Sequence, residues 1–201
     1  ESLSAQWPVP GMREAAGMGR RAIFMDRDGT VCEEVGYINH VDRIRLLPRS
    51  AAAIKAANDA GFQTVVVTNQ GGIGRGIIDE PFLRQVHDTI DARLAAGRAR
   101  MDGYYFCPHH PDAVIPELRQ TCGCRKPGPG MIEQACRELS LDPRRSVMIG
   151  DRRLDVACGN AAGTRAVLVR TGHGAHEEAM PPGTARPDAI LNNLMEAVGW
   201  I

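Results

Sequence analysis

Apolar residues along this chain fall into short unbroken runs, each ending abruptly in a polar or glycine-rich turn. Ala22-Ile23-Phe24-Met25, Thr64-Val65-Val66-Val67, Tyr104-Tyr105-Phe106, Ser146-Val147-Met148-Ile149 and Arg165 to Val169 are the clearest. Runs of this length without alternation read as strands buried on both faces. Pro187 to Ile190 reads as a weaker edge strand. Between the strands lie segments of helical character. Ser50 to Ala60 is alanine-rich, with Ser50 as its expected N-cap and Gly61 as its stop. Glu80 to Ala96 carries Pro81 in its first turn, and Pro129 to Leu139 starts on a proline. Asp155 to Ala162 is closed by Gly163, and Asn193 to Val198 forms a last helix. Residues 31–48, 68–76, 107–127 and 171–174 read as irregular loops. Strands alternating with helices predict one α/β unit, a single Rossmann-like doubly wound parallel sheet.

The chemistry gathers where the apolar runs stop. The first ends in Asp26-Arg27-Asp28-Gly29-Thr30, the second in Thr68-Asn69-Gln70, and the fourth in Gly150-Asp151. Open α/β sheets bind ligands outside the carboxyl ends of their strands. Residues i and i+2 of an extended segment point the same way, so Asp26 and Asp28 share a side. Two carboxylates there repel each other and lose hydration unless a cation joins them. A lone Asp-x-Asp could equally be an acidic loop. Asp26, Asp28 and Asp151 together make a hard-oxygen set suited to Mg²⁺. Thr68 and the amides after it suit phosphate oxygens. Lys126, just before Pro127, adds a fixed positive charge for a phosphoryl group in transfer.

A second cluster is of softer type. Cys107-Pro108-His109-His110 precedes Cys122-Gly123-Cys124 by a short loop. Thiolate and imidazole pairs at close spacing match a tetrahedral structural Zn²⁺ site, with either His109 or His110 as the nitrogen ligand. The competing reading is a set of free surface cysteines beside turn prolines. Cys32, Cys136 and Cys158 fall at strand ends or on helices and read as small buried apolar residues.

Composition narrows the class further. With 201 residues, the chain is long enough for one well-buried domain. Lys+Arg and Asp+Glu are 24 each, a zero formal charge that speaks against a nucleic-acid or polybasic membrane binder. No apolar stretch is long enough for a bilayer, and residues 1–20 lack a signal-peptide core. The expectation is a cytoplasmic protein with free or metal-bound thiols. Residues 1–20 are expected to form an extension and residues 21–201 the working domain.

Taken in order, Asp26-Arg27-Asp28-Gly29-Thr30, Thr68-Asn69, Lys126-Pro127 and Gly150-Asp151-x-x-x-Asp155 resemble the four motifs of the haloacid dehalogenase superfamily of phosphatases. The resemblance implies Asp26 as the nucleophile that forms an aspartyl-phosphate and Asp28 as the acid/base. It implies Thr68 and Lys126 as the groups holding the transferring phosphoryl. Mg²⁺ would then sit on Asp26, the backbone carbonyl of Asp28, and Asp151. The chain leaves no room for a separate cap domain, so specificity falls to residues 33–39, 71–76 and 107–125. Tyr104-Tyr105-x-Cys-Pro-His-His-Pro and Cys-Gly-Cys-Arg-Lys-Pro are similar to the heptose 1,7-bisphosphate 7-phosphatases of that superfamily. That likeness implies Cys107, His109, Cys122 and Cys124 as the zinc ligands, clamping a loop that aims Arg125 at the substrate. It implies Glu34, Tyr37, Thr68, Asn69, Gln70, Arg125 and Lys126 as substrate-binding residues. It also implies a monomer acting on a small sugar bisphosphate in heptose synthesis for surface glycans. The chain departs from the commoner pattern at Gly71 and Gly74, where Ser and Ala are frequent, and in its Gly11–Arg20 and Pro181–Pro187 segments. Histidinol-phosphate phosphatases carry a similar zinc loop and are the alternative. A phospho-ligand-binding domain without catalysis is a third reading, disfavoured by the intact acid pair.

Overall fold

The computed structural model describes residues 6–8 and 19–201, apart from residue 182. Seven strands form one sheet in the order β1-β4-β3-β2-β5-β6-β7. The strands are β1 (Gln6–Pro8), β2 (Ala22–Met25), β3 (Gln63–Asn69), β4 (Gly103–Cys107), β5 (Val147–Gly150), β6 (Arg165–Val169) and β7 (Ala189–Leu191). Strands β2 to β7 run parallel, and β1 pairs antiparallel on the outer edge of β4. The extension expected over residues 1–20 therefore contributes a strand through Gln6–Pro8. Its remainder up to residue 18 lies outside the described residues.

Period-two alternation explains why the strands are apolar throughout. Ile23 and Met25 of β2 pack on one face of the sheet with Val66, Val147 and Val167. Ala22 and Phe24 pack on the other face with Val65, Val67 and Met148. Helix α1 (Ser50–Asp59), helix α3 (Glu80–Ala96) and helix α7 (Leu194–Trp200) cover the first face. Helix α4 (Gly130–Leu139) and Cys158 of helix α5 (Arg153–Ala162) cover the second. Cys32 and Cys158 are buried as expected, and Cys136 is half-buried.

A short helix, α2 (Gly71–Gly74), lies inside the predicted loop 68–76, and another, α6 (Gly174–Ala179), starts at the end of the predicted loop 171–174. At α1 the predicted cap is corrected. Ser50 is the first helical residue, and the cap position is Arg49, in the left-handed region at φ 67 with no side-chain capping bond. At α3, Asp79 caps by accepting the Phe82 amide at 2.8 Å. Among the described residues no separate cap domain is inserted between the strands.

The chain leaves β2 outward through β3 and β4, then returns to the far side of β2 at β5. The order reverses between β2 and β5, which opens a crevice at their carboxyl ends. The Asp26 amide bonds to the Ile149 carbonyl at 3.0 Å and fixes the two strand ends together.

Candidate active site

Asp26 follows β2, Thr68 and Asn69 end β3, and Asp151 follows β5, so sheet register alone brings them to the crevice. Lys126 comes from the long loop after β4. Its backbone is clamped by Asn69, whose Oδ1 accepts the Lys126 amide at 2.9 Å and whose Nδ2 donates to the Lys126 carbonyl at 3.1 Å. The buried Lys126 ammonium donates to the Val67 carbonyl at 2.9 Å. It also lies 2.8 Å from Asp26 Oδ1 and 2.7 Å from Asp155 Oδ1. Burial works against this charge, but Asp155 and Asp26 outweigh it and raise the lysine above its ordinary range.

Asp26, Asp151 and Asp155 place one carboxylate oxygen each within 4.8 Å of one another. Asp151 is fully buried. Its Oδ2 accepts the His173 amide at 2.7 Å, while Oδ1 has no hydrogen-bond partner. Burial first, and then the Asp26 charge, push its carboxyl up to about 7. Burial pushes Asp155 up to about 6 against the pull of Lys126. Gly29 (φ +82) and Gly172 (φ +55) both press on Asp151, and a Cβ on either would run into its carboxylate. Only glycine satisfies that backbone and that approach.

Asp28 stands outside the acid trio. Its two oxygens take a fork from Arg27: Nε to Oδ1 at 3.0 Å and Nη2 to Oδ2 at 2.7 Å. Gln70 lies beside it, with Nε2 donating to Thr68 Oγ1 at 2.9 Å and to Asp28 Oδ2 at 3.3 Å. The expected metal set of Asp26, Asp28 and Asp151 is thus brought together as carboxylates for Asp26 and Asp151, with Asp155 in third place.

Above these groups is a cavity of about 270 Å³. Asp26, Asp28, Thr68 and Lys126 line it, with Asn69 beside them. Its walls are Glu34, Tyr37, Arg125, Arg152 and Leu154. Tyr37 leans on α2, where a Cβ at Gly72 would come within 2.9 Å of its ring. Glu34 Oε1 accepts the Gly36 amide at 2.7 Å, and Oε2 lies 3.6 Å from His173 Nε2. Arg125 Nη1 donates to the His109 carbonyl at 2.9 Å, which ties it to the Cys/His loop.

In that loop Cys107, His109, Cys122 and Cys124 converge. Cys124 Sγ lies 3.2 Å from both Cys107 Sγ and Cys122 Sγ, and 3.3 Å from His109 Nδ1. Ligands on one tetrahedral Zn²⁺ stand about 3.3–3.8 Å apart. The contact with the Cys107 sulfur leads in pulling the Cys124 thiol down to about 5. His110 turns away: its Nδ1 accepts the Asp112 amide at 3.0 Å, and Arg75 Nη2 sits 3.0 Å from Nε2. The loop packs closely on α2, since a Cβ at Gly74 would come within 2.9 Å of the Pro108 carbonyl. That contact leaves no space for the commoner alanine without a shift.

A family model described as HAD-hydrolase-like matches residues 123–197. A D-glycero-beta-D-manno-heptose-1,7-bisphosphate 7-phosphatase of Haemophilus ducreyi is 38% identical over 92% of this chain and 100% of its own. The enzyme of that name from Escherichia coli K12 is 40% identical over 87% of this chain and 90% of its own. A crystal structure of D,D-heptose 1,7-bisphosphate phosphatase from B. bronchiseptica, complexed with magnesium and phosphate, superposes with a TM-score of 0.80. It is 30% identical and covers 90% of this chain and 97% of that one. The chain belongs to the haloacid dehalogenase-like phosphatases.

This phosphatase is a phosphoric monoester hydrolase. Sequence reasoning missed four of its residues. Arg152 and Leu154 line the cavity, yet they fall between the strand end at Asp151 and the helix predicted from Asp155, where no role was read for them. Asp155 had a motif position but no role, and the signal for one was its spacing one helical turn after Asp151. Arg27 stands in the first motif with no role read for it, yet its side chain is buried.

Proposed function

We propose that the phosphatase removes the terminal primary phosphate, at C7, of D-glycero-D-manno-heptose 1,7-bisphosphate, a step in heptose synthesis for surface glycans. The observation that carries this reading is the cavity itself. Two guanidinium groups, Arg125 and Arg152, share one small open space with the Asp26/Asp28 pair and Lys126. A phosphate away from the scissile one gives such a wall a doubly charged partner. Binding energy from the non-reacting phosphate then positions the reacting one. The relatives named above carry the same substrate in their names.

Asp26 attacks phosphorus through a carboxylate oxygen, and the bond to the sugar oxygen breaks. Asp28 protonates the leaving alkoxide, then takes a proton from the water that hydrolyses the aspartyl-phosphate and releases orthophosphate. Thr68 and Lys126 hold the phosphoryl oxygens. Asn69 and Gln70 hold Lys126, Thr68 and Asp28 in place, with the substrate contacts falling to Glu34, Tyr37 and Arg125.

The acid trio fits a divalent cation, because Asp151 keeps a buried oxygen without a hydrogen-bond partner and faces Asp26. Asp26, Asp151 and the backbone carbonyl of Asp28 would hold Mg²⁺, which supplies charge neutralisation for the phosphoryl oxygens. The spacing of Cys107, His109, Cys122 and Cys124 fits Zn²⁺ in a closed, structural role. Those clustered thiols suit a reducing compartment, and we place the protein in the cytoplasm as a monomer. Among the described residues no helix is long and apolar enough to cross a membrane.

The test is a turnover screen with heptose 1,7-bisphosphate, the 7-monophosphate and histidinol phosphate. The bisphosphate is expected to lead in kcat/KM. A lead for histidinol phosphate, or equal turnover of the monophosphate, overturns the assignment. Among the described residues, Glu34 is the one acidic side chain on the cavity wall above the catalytic groups, and it is already engaged, which disfavours an amine-bearing substrate.

A further inference from the structure

Arg27 is among the largest fully buried side chains of the protein, with 2% of its surface exposed. It sits between two acids that line the crevice, in a turn where a charged residue is expected to reach solvent. A buried guanidinium loses hydration, and here Nη1 has no hydrogen-bond partner to offset that loss. The ion pair that Arg27 makes is with Asp28. Both Asp28 oxygens are engaged, at 3.0 and 2.7 Å, so the carboxylate plane is set by the guanidinium plane. The arginine backbone is itself fixed, because its carbonyl accepts both the Val31 amide at 3.0 Å and the Cys32 amide at 2.9 Å.

We infer that Arg27 is a positioning residue that orients the Asp28 carboxylate toward the leaving oxygen of the substrate, with Gln70 as a weaker second brace. Proton transfer in a transition state needs its heavy atoms within hydrogen-bond reach, and a carboxylate on one rotatable bond would otherwise sample other directions. A planar fork removes that freedom on both oxygens at once, while one lysine ammonium is a point charge and cannot. The inference rests on the phosphatase reading, with Asp28 as acid/base.

The experiment compares kcat/KM across phosphate esters whose leaving groups differ in basicity: heptose 1,7-bisphosphate, phenyl phosphate and p-nitrophenyl phosphate. This ratio reports the steps up to departure of the leaving group, so later hydrolysis does not enter. A poor leaving group needs the proton from Asp28, and p-nitrophenolate does not. In Arg27→Lys, kcat/KM is expected to fall on the order of 100-fold for the sugar ester, as misplacement of a reacting group by an ångström would cause. For p-nitrophenyl phosphate the expected fall is within about threefold, because nucleophile and lysine are untouched. Arg27→Met, which keeps length and loses charge, should skew at least as far. Gln70→Met should skew in the same direction by a smaller factor, and it serves if Arg27→Met does not fold. A purely structural role lowers all three esters together, and that result in Arg27→Lys overturns the inference, as does the absence of any loss. Asp28→Asn is the control. If it loses equally on all three esters, the acid role of Asp28 fails. If Asp28→Asn is skewed and Arg27→Lys is not, only the positioning role fails.

Discussion

The acid–lysine crevice and the Cys/His cluster are neighbours, yet they are held by opposite means. Asn69, which clamps Lys126, lies directly opposite Cys107 in the β3–β4 ladder. On the crevice side, the charged groups hang on strand ends and on each other. Lys126 is gripped by two carboxylates, the Val67 carbonyl and the Asn69 side chain. On the other side, residues 108–127 contain only one single-turn helix, Pro116–Leu118, and His109, Cys122 and Cys124 come from this thinly ordered stretch to meet Cys107 at the end of β4. On the reading proposed above, the fold would prepare the first site for a cation, whereas the second loop would depend on a cation for its own order. Removing the two metals should therefore do different damage.

The largest expected effect is on the crevice. Asp26→Asn should lower kcat by on the order of 10⁴-fold or more, because an amide is no nucleophile. Its melting temperature should stay close to wild type, since Lys126 keeps Asp155. Retained turnover would break the mechanism. Next comes the loop. Cys124→Ser should release about one equivalent of zinc by elemental analysis and lower the melting temperature, while a mild chelator that removes Mg²⁺ from wild type should stop turnover and leave the melt unchanged. A wild-type melt with zinc absent would collapse the contrast between the two sites.

Arg125→Ala joins them, since that side chain is tied to the cluster and faces the cavity. A loss of about 10–100-fold in kcat/KM is expected for the bisphosphate, the scale of one or two charged hydrogen bonds, and much less for the monophosphate. An equal loss on both would show that Arg125 serves the scissile phosphate instead.

The smallest effect is a pH dependence of the metal-free protein. Burial pushes the Asp151 carboxyl up from its ordinary 3.8 to about 7 in the folded protein. Between those values the folded state binds more protons than the unfolded state, so stability should fall as pH rises from about 4 to about 7. Mg²⁺ should remove that decline by pairing the carboxylate. Melts across this range, with and without Mg²⁺, check it, and a rise with pH in the metal-free protein would contradict the burial argument.

The sheet was readable because its strands are buried on both faces, which leaves unbroken apolar runs in the sequence. The site was readable where it coincides with strand ends, as at Asp26, Thr68 and Asp151. What escaped has physical causes. Helix α2 is four residues with three glycines, too short for any period to register. Ser50 satisfies the chemistry of a cap, yet Pro48 and the left-handed Arg49 carry the chain into the helix one residue early. Strand β1 has three residues and borrows its hydrogen bonds from β4, so nothing local announces it. Arg152 faces the cavity because the turn after Asp151 aims it there, and no composition rule contains that angle.

The Lys126 ammonium has a further consequence. An ammonium carries three N–H bonds, and Val67, Asp26 and Asp155 already accept all of them. On the mechanism proposed above, an incoming phosphoryl oxygen would therefore have to trade places with one of the three. Substrate capture then resembles an exchange reaction more than the filling of a vacancy, and orthophosphate departs as an internal carboxylate or carbonyl reclaims its proton donor. The resting protein competes with its own product for the same cation, which favours clearance of the site between turnovers.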